Sequence, residues 1–132
     1  MQQGDQLVLV AQDPEATPRV HHREGFTVVE LHGELDILAF HHTAPLLDAL
    51  SGEQAPALVV DLRRTTFCDC SGLGLLARTS RRAAEHGGRV LLVCTHPLQR
   101  RILALTGLDR SLPPHTTLDE ALAAAAAAPV SR

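Results

Sequence analysis

The sequence predicts an α/β fold: one small mixed or parallel β-sheet of four or five strands, with about four α-helices packed mainly on one face. Three observations support this prediction. The 132 residues are enough for one domain with its own hydrophobic core. Apolar strand-like runs alternate with helical patterns, which favours parallel strands joined by helices. Glycine and proline residues separate these runs, as expected for turns.

The first half of the chain is predicted to hold an extension, two strands and a helix. In chain order these are residues 1–18, 19–23, 26–32 and 40–50. Within the extension, 7–10 is a candidate short strand, but Pro14 and Pro18 interrupt the pattern. Gly25 marks the turn between the two strands. The helix is compatible with Pro45 only if that proline lies in the first turn.

The second half is predicted to alternate strands and helices. It begins with a buried strand at 57–62, the central helix at 71–86 and a second buried strand at 89–94. A short helix at 97–106, a short edge strand at 109–112 and an alanine-rich helix at 117–129 follow. Gly87-Gly88 and Gly107 are helix-ending signals, and Pro97 suits a helix start. Thr117 and Glu120 have capping-box spacing.

The central helix is predicted to have one apolar-to-small face and one charged face. The first comprises Leu73, Leu76, Ala77, Ser80 and Ala84. The second comprises Arg78, Arg81, Arg82 and Glu85. A solvated face is the simpler interpretation of these arginines. A docking surface for an acidic partner is the alternative.

Composition narrows the class of protein. Apolar residues make up 45% and charged residues 20% of the chain, as in soluble globular proteins. No apolar run approaches the roughly 20 residues needed to span a bilayer, and the first residues lack the basic start of a signal peptide. A cytoplasmic protein without a membrane partner is therefore expected. The net charge of −3 argues against a nucleic-acid partner, which usually requires a basic face.

The segment 67–74, Phe-Cys-Asp-Cys-Ser-Gly-Leu-Gly, is the most informative part of the chain. It joins a predicted strand to the central helix, so Ser71 lies beside free backbone N–H groups at the positive end of the helix dipole. That environment suits a bound or covalent phosphate. Ser71 and Asp69 are also ordinary helix-start residues. Position alone leaves a cap and a phosphoacceptor equally open.

Two enzyme motifs are matched only in part. Gly72-x-Gly74-x-x-Ala77 has dinucleotide-binding spacing, but the next strand is not followed by the acidic residue that would hold a ribose. A Gly-x-Ser-x-Gly nucleophile elbow fails because residue 69 is aspartate. We therefore expect a protein that is not an enzyme and uses no cofactor.

The cysteines and histidines suggest an alternative class. Three cysteines are an odd number, so a disulfide framework is not expected, and Cys68 and Cys94 are interpreted as small buried hydrophobes. The chain has eight histidines but no C-x₂-C or H-x₃-H spacing, so no metal is expected. A metal- or redox-responsive sensor using Cys68, Cys70, Cys94 and His96 remains the alternative.

Four segments in the expected order resemble the anti-sigma-factor antagonist branch of the STAS-domain family. They are Gly33-Glu34-Leu35-Asp36, the segment 67–74, Gly87-Gly88 and Leu105-Thr106-Gly107-Leu108. The resemblance covers about residues 20–125, and Asp-x-Ser-Gly-Leu-Gly is its most specific part. It implies a STAS-like single domain over 19–129.

The resemblance also implies a function. Such a domain binds an anti-sigma factor with a histidine-kinase-type ATPase fold and serine-kinase activity, and this binding releases the sigma factor. Phosphorylation of the antagonist's serine ends the interaction. Ser71 matches that phosphoacceptor, while Asp69 and Asp36 match the acids near it. Cys70, Gly72, Leu73 and Gly74 are the remaining neighbours of the phosphosite expected to meet the partner.

One departure from the family pattern lies inside the motif. Cys70 stands where many relatives have a second serine, which leaves Ser71 as the only serine of the segment. Cys70 also introduces a potential for redox sensitivity. The alternative within the same fold is a STAS-like scaffold without a phosphoswitch, in which Ser71 only starts a helix.

Overall fold

A computed structural model of the chain describes residues 18–35 and 37–127, with the side chains of residues 35, 37, 38, 40, 67 and 68 outside that description. The predicted strand at 7–10 and all of the extension except Pro18 therefore lie outside the described residues. The strands are β1 Arg19–Arg23, β2 Phe26–Leu35, β3 Ala57–Cys68, β4 Arg89–Val93 and β5 Pro114–His115. The helices are α1 Ile37–Ser51, α2 Cys70–Glu85, α3 Pro97–Thr106 and α4 Leu118–Ala127, with a 3₁₀ turn at Leu108–Arg110.

The five strands form one sheet in the order β1-β2-β3-β4-β5. β1 pairs antiparallel with β2, and the other neighbours are parallel. Glu24 and Gly25 connect β1 to β2 with φ values of 52° and 85°, as a tight two-residue hairpin requires. The mixed, mainly parallel sheet and the edge strand at Arg19–Arg23 confirm the predicted α/β class.

The two faces of the sheet carry separate apolar clusters, because side chains alternate along each strand. One face contributes residues such as Val29, Val60 and Leu92, and it is covered by α1, α2 and α3. The other contributes Val28, Val59 and Val93 and packs against Leu118, Ala121 and Leu122 of α4. Three of the four helices thus lie on one face, as predicted.

β2 is longer than predicted. It continues through Gly33-Glu34 to Leu35 instead of ending at His32. The pairing with β3 shifts register between Glu30 and His32 and between Gly33 and Glu34. Gly33 adopts a φ of 75°, which glycine reaches without steric cost. With these shifts in register, β2 stays paired with β3 as far as Leu35.

Helix α1 corrects the prediction for Pro45. The helix begins at Ile37, so Pro45 is its ninth residue and lies in the interior, not in the first turn. A proline there cannot donate the intrahelical hydrogen bond and usually costs about 3 kcal/mol. Thr43 and Leu47 are buried on the same helix, so tertiary packing offsets a local preference that sequence reasoning treated as decisive.

Helix α2 corrects the predicted apolar face. The buried residues are Gly72, Leu75, Leu76, Thr79 and Ala83, so only Leu76 of the predicted set is fully buried. The buried face is therefore rotated by about one residue from the predicted face. The Thr79 hydroxyl donates to the Leu75 carbonyl at 2.8 Å, which satisfies its polar group inside the core.

The segment after α3 also differs from its prediction. Residues 109–112 form no edge strand; a 3₁₀ turn at Leu108–Arg110 leads to Leu112, which is fully buried. The edge strand is instead Pro114–His115, in which Pro114 pairs with Leu92 of β4. An edge strand tolerates proline because its missing N–H is not needed by a second neighbour.

Candidate functional site

The start of α2 is organised by Asp69. This residue is the N-cap, with an extended backbone at φ −97° and ψ −167°. Its Oδ1 accepts hydrogen bonds from the backbone N–H groups of Ser71 at 2.8 Å and Gly72 at 3.2 Å. The Leu73 N–H then donates to the Asp69 carbonyl at 3.0 Å. The capping role that the sequence left open between Ser71 and Asp69 therefore belongs to Asp69.

Ser71 is the second residue of the helix, and its side chain does not cap the helix. It is half-buried, whereas Cys70 before it is exposed. Within the described part of the chain, no hydrogen bond involves the Ser71 hydroxyl. Gly72 is buried, Leu73 is half-buried and Gly74 is exposed. The first turn thus presents positions 70, 71, 73 and 74 at or near the surface.

The sheet brings two of the family-like segments together. Parallel strands β2 and β3 end at the same edge, where Glu34 is paired with Phe67 and Leu35 with Cys68. Residues 33–35 therefore lie beside the strand that leads into Asp69 and Ser71. Asp36 follows directly in the sequence, but it lies outside the described residues. Its predicted proximity to Ser71 stays a prediction.

The start of α2 is an electrostatically favourable place for an anion. Helix α2 has no acidic residue in its first turn, and the capping carboxylate of Asp69 lies at the positive end of its dipole. Backbone N–H groups at a helix start are suited to phosphate oxygens.

Two arginines of α2 tie that helix to α1. Arg78 donates to both carboxylate oxygens of Asp48, at 2.8 and 3.0 Å, and this hydrogen bonding lowers the pKa of Asp48. Arg82 donates to the Asp48 carbonyl at 2.9 Å and to the Ser51 hydroxyl at 3.2 Å. These arginines are therefore structural links between helices, while Arg81 is exposed. The links fix the direction of the helix that carries Ser71.

The cysteines and His96, which the sensor alternative would use, lie in different environments. Cys94 is fully buried, its thiol lies 3.4 Å from Gln99 Oε1, and burial raises its pKa. His96 is exposed and caps α3, where its ring accepts from the Leu98 N–H. Among residues 18–35 and 37–127, no three histidine, cysteine or acidic side chains converge on a metal position. The side chain of Cys68 lies outside the description.

Sequence reasoning missed one surface beside this turn. Leu73 lines a small depression together with Ile102 of α3. Leu98 and Leu105, also on α3, are strongly exposed apolar residues. The sequence predicts a short helix here, but spacing alone does not separate its buried face from its exposed face.

The described helices include none long and apolar enough to cross a membrane.

The family model of the STAS domain matches residues 17–121. An anti-sigma F factor antagonist of Paenibacillus polymyxa is 32% identical over 98 residues, which is 70% of this chain and 80% of that protein.

Solved structures give the same assignment. An anti-sigma factor antagonist from Mycobacterium paratuberculosis superposes with a TM-score of 0.75 at 34% identity, covering 86% of this chain and 97% of that one. The Bacillus cell fate determinant SpoIIAA in its phosphorylated form superposes with a TM-score of 0.65, covering 82% of this chain and 98% of its own. At 24% identity, the latter shows the fold alone. From its sequence match and its fold, this chain belongs to the STAS domain family.

Proposed function

We propose that this chain is an anti-sigma factor antagonist. In this proposal the domain, residues 19–129, binds a histidine-kinase-type anti-sigma factor in the cytoplasm and thereby frees a sigma factor; it is not itself an enzyme. Phosphorylation of Ser71 by that partner ends the interaction. The observation that carries the proposal is the start of α2, where Asp69 performs the capping and leaves the Ser71 hydroxyl without a structural role.

The names of the relatives support the general part of this proposal. The Paenibacillus and Mycobacterium proteins are both called anti-sigma factor antagonists, and each matches most of this chain. SpoIIAA, which shares the fold, has a structure in a phosphorylated form. A phosphate is therefore compatible with this fold at the level of architecture.

The physical effect of a phosphate on Ser71 follows from its surroundings. Phosphorylation adds roughly −1.5 to −2 charges at neutral pH. The Asp69 carboxylate is already bonded to the Ser71 N–H at 2.8 Å, so two anions would share one turn. The helix N-terminus can stabilise this charge, so the fold is retained. A partner packed on the turn would meet repulsion and a desolvation cost.

A switch requires only a small change in the free energy of partner binding. A change of about 3 kcal/mol in binding free energy weakens an interaction more than a hundredfold. Charge repulsion within a close interface reaches this scale without rearranging the fold. Asp69 and Asp36 contribute to the acidic character of the same patch in this proposal, and Gly72, Leu73 and Gly74 contribute contact surface.

A second candidate keeps partner binding but omits the phosphoswitch. Cys70 is exposed but has no hydroxyl, whereas Ser71, which has one, is half-buried. A kinase that reaches only the exposed position would leave this chain unmodified. The protein would then be an antagonist or scaffold that its partner cannot inactivate.

Four versions of the protein separate these candidates: the wild type, Ser71→Ala, Ser71→Asp and Cys70→Ser. Each would be incubated with purified histidine-kinase-type anti-sigma factors of the source organism and ATP, and the modified residue located by mass spectrometry. The proposal expects phosphate on Ser71 of the wild type and none on Ser71→Ala. Before ATP is added, binding is expected to be lost only in Ser71→Asp; after ATP is added, the phosphorylated wild type is expected to lose it as well. Phosphorylation of Cys70→Ser at residue 70, with an unmodified wild type, would favour the second candidate.

A further inference from the structure

Helix α3 exposes two large apolar side chains. Leu98 is 60% and Leu105 is 76% exposed, and the only other exposed large hydrophobic residue in the described part of the chain is Val20 of β1, at 44%. Exposed apolar residues scattered singly are common. Two on one short helix are less common, and they indicate a candidate contact surface for another molecule.

The exposed residues form a stripe along α3. Leu98, Arg101 and Leu105 follow one another at spacings of three and four residues, so they lie on the same side of the helix. All three are exposed. The opposite side is buried through Gln99 and Leu103. We call Leu98, Arg101 and Leu105 the α3 stripe.

Ile102 connects the α3 stripe to the depression beside the Ser71 turn, which no residue of the stripe lines. Ile102 follows Leu98 by one helical turn and lines a depression with Leu73, which is two residues after Ser71. Leu62, Leu76, Gln99 and Leu103 also line that depression. A protein that covers the Ser71 turn therefore meets an apolar surface that extends onto α3.

Helix α3 is firmly attached to the domain. The Gln99 amide donates to the Thr65 hydroxyl at 3.1 Å in the interior. Arg100 donates to the Cys94 carbonyl at 2.8 Å. His96 caps the start of the helix, and Gly107 ends it with a φ of 79°. The stripe is thus presented on a pre-organised element, which lowers the entropic cost of binding.

We propose that the α3 stripe is a second contact for the anti-sigma factor, and that it supplies affinity independently of the phosphate on Ser71. The complementary surface is apolar with an acidic residue opposite Arg101. This inference rests on the proposed function, because it assigns the surface to the same partner.

The charge at the centre of the stripe argues against a second copy of this chain as the occupant. A twofold dimer through the stripe would place the central Arg101 near its own copy. Like charges at the centre of a contact are unfavourable, particularly when solvent is excluded. A partner with a carboxylate at this place would instead gain a charge-assisted hydrogen bond.

The test compares the double variant Leu98→Ala/Leu105→Ala with Val20→Ala, an exposed apolar residue away from the stripe. Dissociation constants would be measured by biolayer interferometry against purified histidine-kinase-type anti-sigma factors of the source organism. ADP would be present because it cannot donate a γ-phosphate. We expect at least tenfold weaker binding for the double variant, as for apolar anchors of an interface. Val20→Ala is expected to bind as the wild type does.

Reversing the charge of the arginine in the stripe provides a second test. Arg101→Glu is expected to weaken binding at least tenfold, with Arg81→Glu on the exposed side of α2 as its matched control. Equal weakening by both reversals would overturn the assignment of the acidic contact to Arg101. Thermal unfolding checks that each variant is folded, which the exposure of all the substituted side chains favours.

The outcomes distinguish the two proposals. Wild-type binding that is lost in Ser71→Asp, together with unchanged binding of the double leucine variant, would overturn the α3 stripe and leave the proposed function intact. Strong weakening of the double variant with normal Val20→Ala binding would support the stripe, even if Ser71→Asp bound like the wild type. Wild-type protein that binds none of the anti-sigma factors would contradict both.

Discussion

Replacement of Asp69 tests how the start of α2 is built. In Asp69→Ala, the N–H groups of Ser71 and Gly72 lose the acceptor that now lies 2.8 and 3.2 Å away. Loss of a capping side chain usually costs 0.5–2 kcal/mol, and two N–H groups share this cap, so we expect about 1–2 kcal/mol. For a protein of this size, that corresponds to a fall in Tm of roughly 3–8 °C.

A matched variant separates the hydrogen bond from the charge. Asp69→Asn keeps an oxygen acceptor in the same place but removes the negative charge near the helix dipole, which is worth about 0.3–1 kcal/mol. Its loss of stability should therefore be smaller than that of Asp69→Ala. Glu53→Ala, in an exposed turn, serves as a control for removing a surface carboxylate.

Urea denaturation followed by circular dichroism gives the free energies of unfolding for these variants. The predicted order of stability is wild type and Glu53→Ala, then Asp69→Asn, then Asp69→Ala. Wild-type stability in Asp69→Ala would refute the capping argument. Equal losses in both Asp69 variants would show that the charge, and not the hydrogen-bond geometry, stabilises the turn.

Three further predictions follow from individual contacts. In the native protein Cys70 should react with iodoacetamide much faster than Cys94, which is buried with a raised pKa; equal labelling by mass spectrometry would contradict this burial. The pKa of Asp48 is lowered by Arg78 from its ordinary value of 3.8, so the stability that Arg78→Met removes at pH 6 should shrink as the pH falls below 3.8, and a pH-independent difference in urea titrations would contradict the ion pair. Gly88→Ala would place a Cβ against the backbone of Pro56, which lies just before β3, and should cost about 1–3 kcal/mol in the same titrations; unchanged stability would contradict that close approach.

Local signals were sufficient for several elements. Pro97 and Gly107 bound α3 at both ends as predicted, because a proline suits the first helical turn and glycine adopts the left-handed conformation that ends a helix. The start of α4 was also predicted, since the Glu120 N–H donates to the Thr117 hydroxyl at 2.9 Å. The Glu120 carboxylate, however, accepts from the Thr116 N–H, one residue earlier than an ordinary capping box.

Tertiary packing decided the elements that were predicted incorrectly. Pro45 lies within α1 because the helix is stabilised by its buried side, which local propensity does not report. The apolar face of α2 was misplaced because alanines are compatible with either side of a helix, and Ala84 is exposed while Ala83 is buried.

The turn between strand and helix was predictable from the sequence, but the residue that caps the helix was not. The segment 67–74 identified the turn, while a choice between Asp69 and Ser71 as the cap required backbone geometry. The exposure of Leu98 and Leu105 also depends on how α3 rotates against the sheet. Both features are set by contacts between elements distant in sequence.

The most direct test of the central claim is the site of phosphate transfer from a purified histidine-kinase-type anti-sigma factor, compared between the wild type and Ser71→Ala. The account predicts phosphate on Ser71 of the wild type, and a Ser71→Ala protein that is unmodified and stays bound. A wild type that binds the same factor but remains unmodified after prolonged incubation with ATP would contradict the switch.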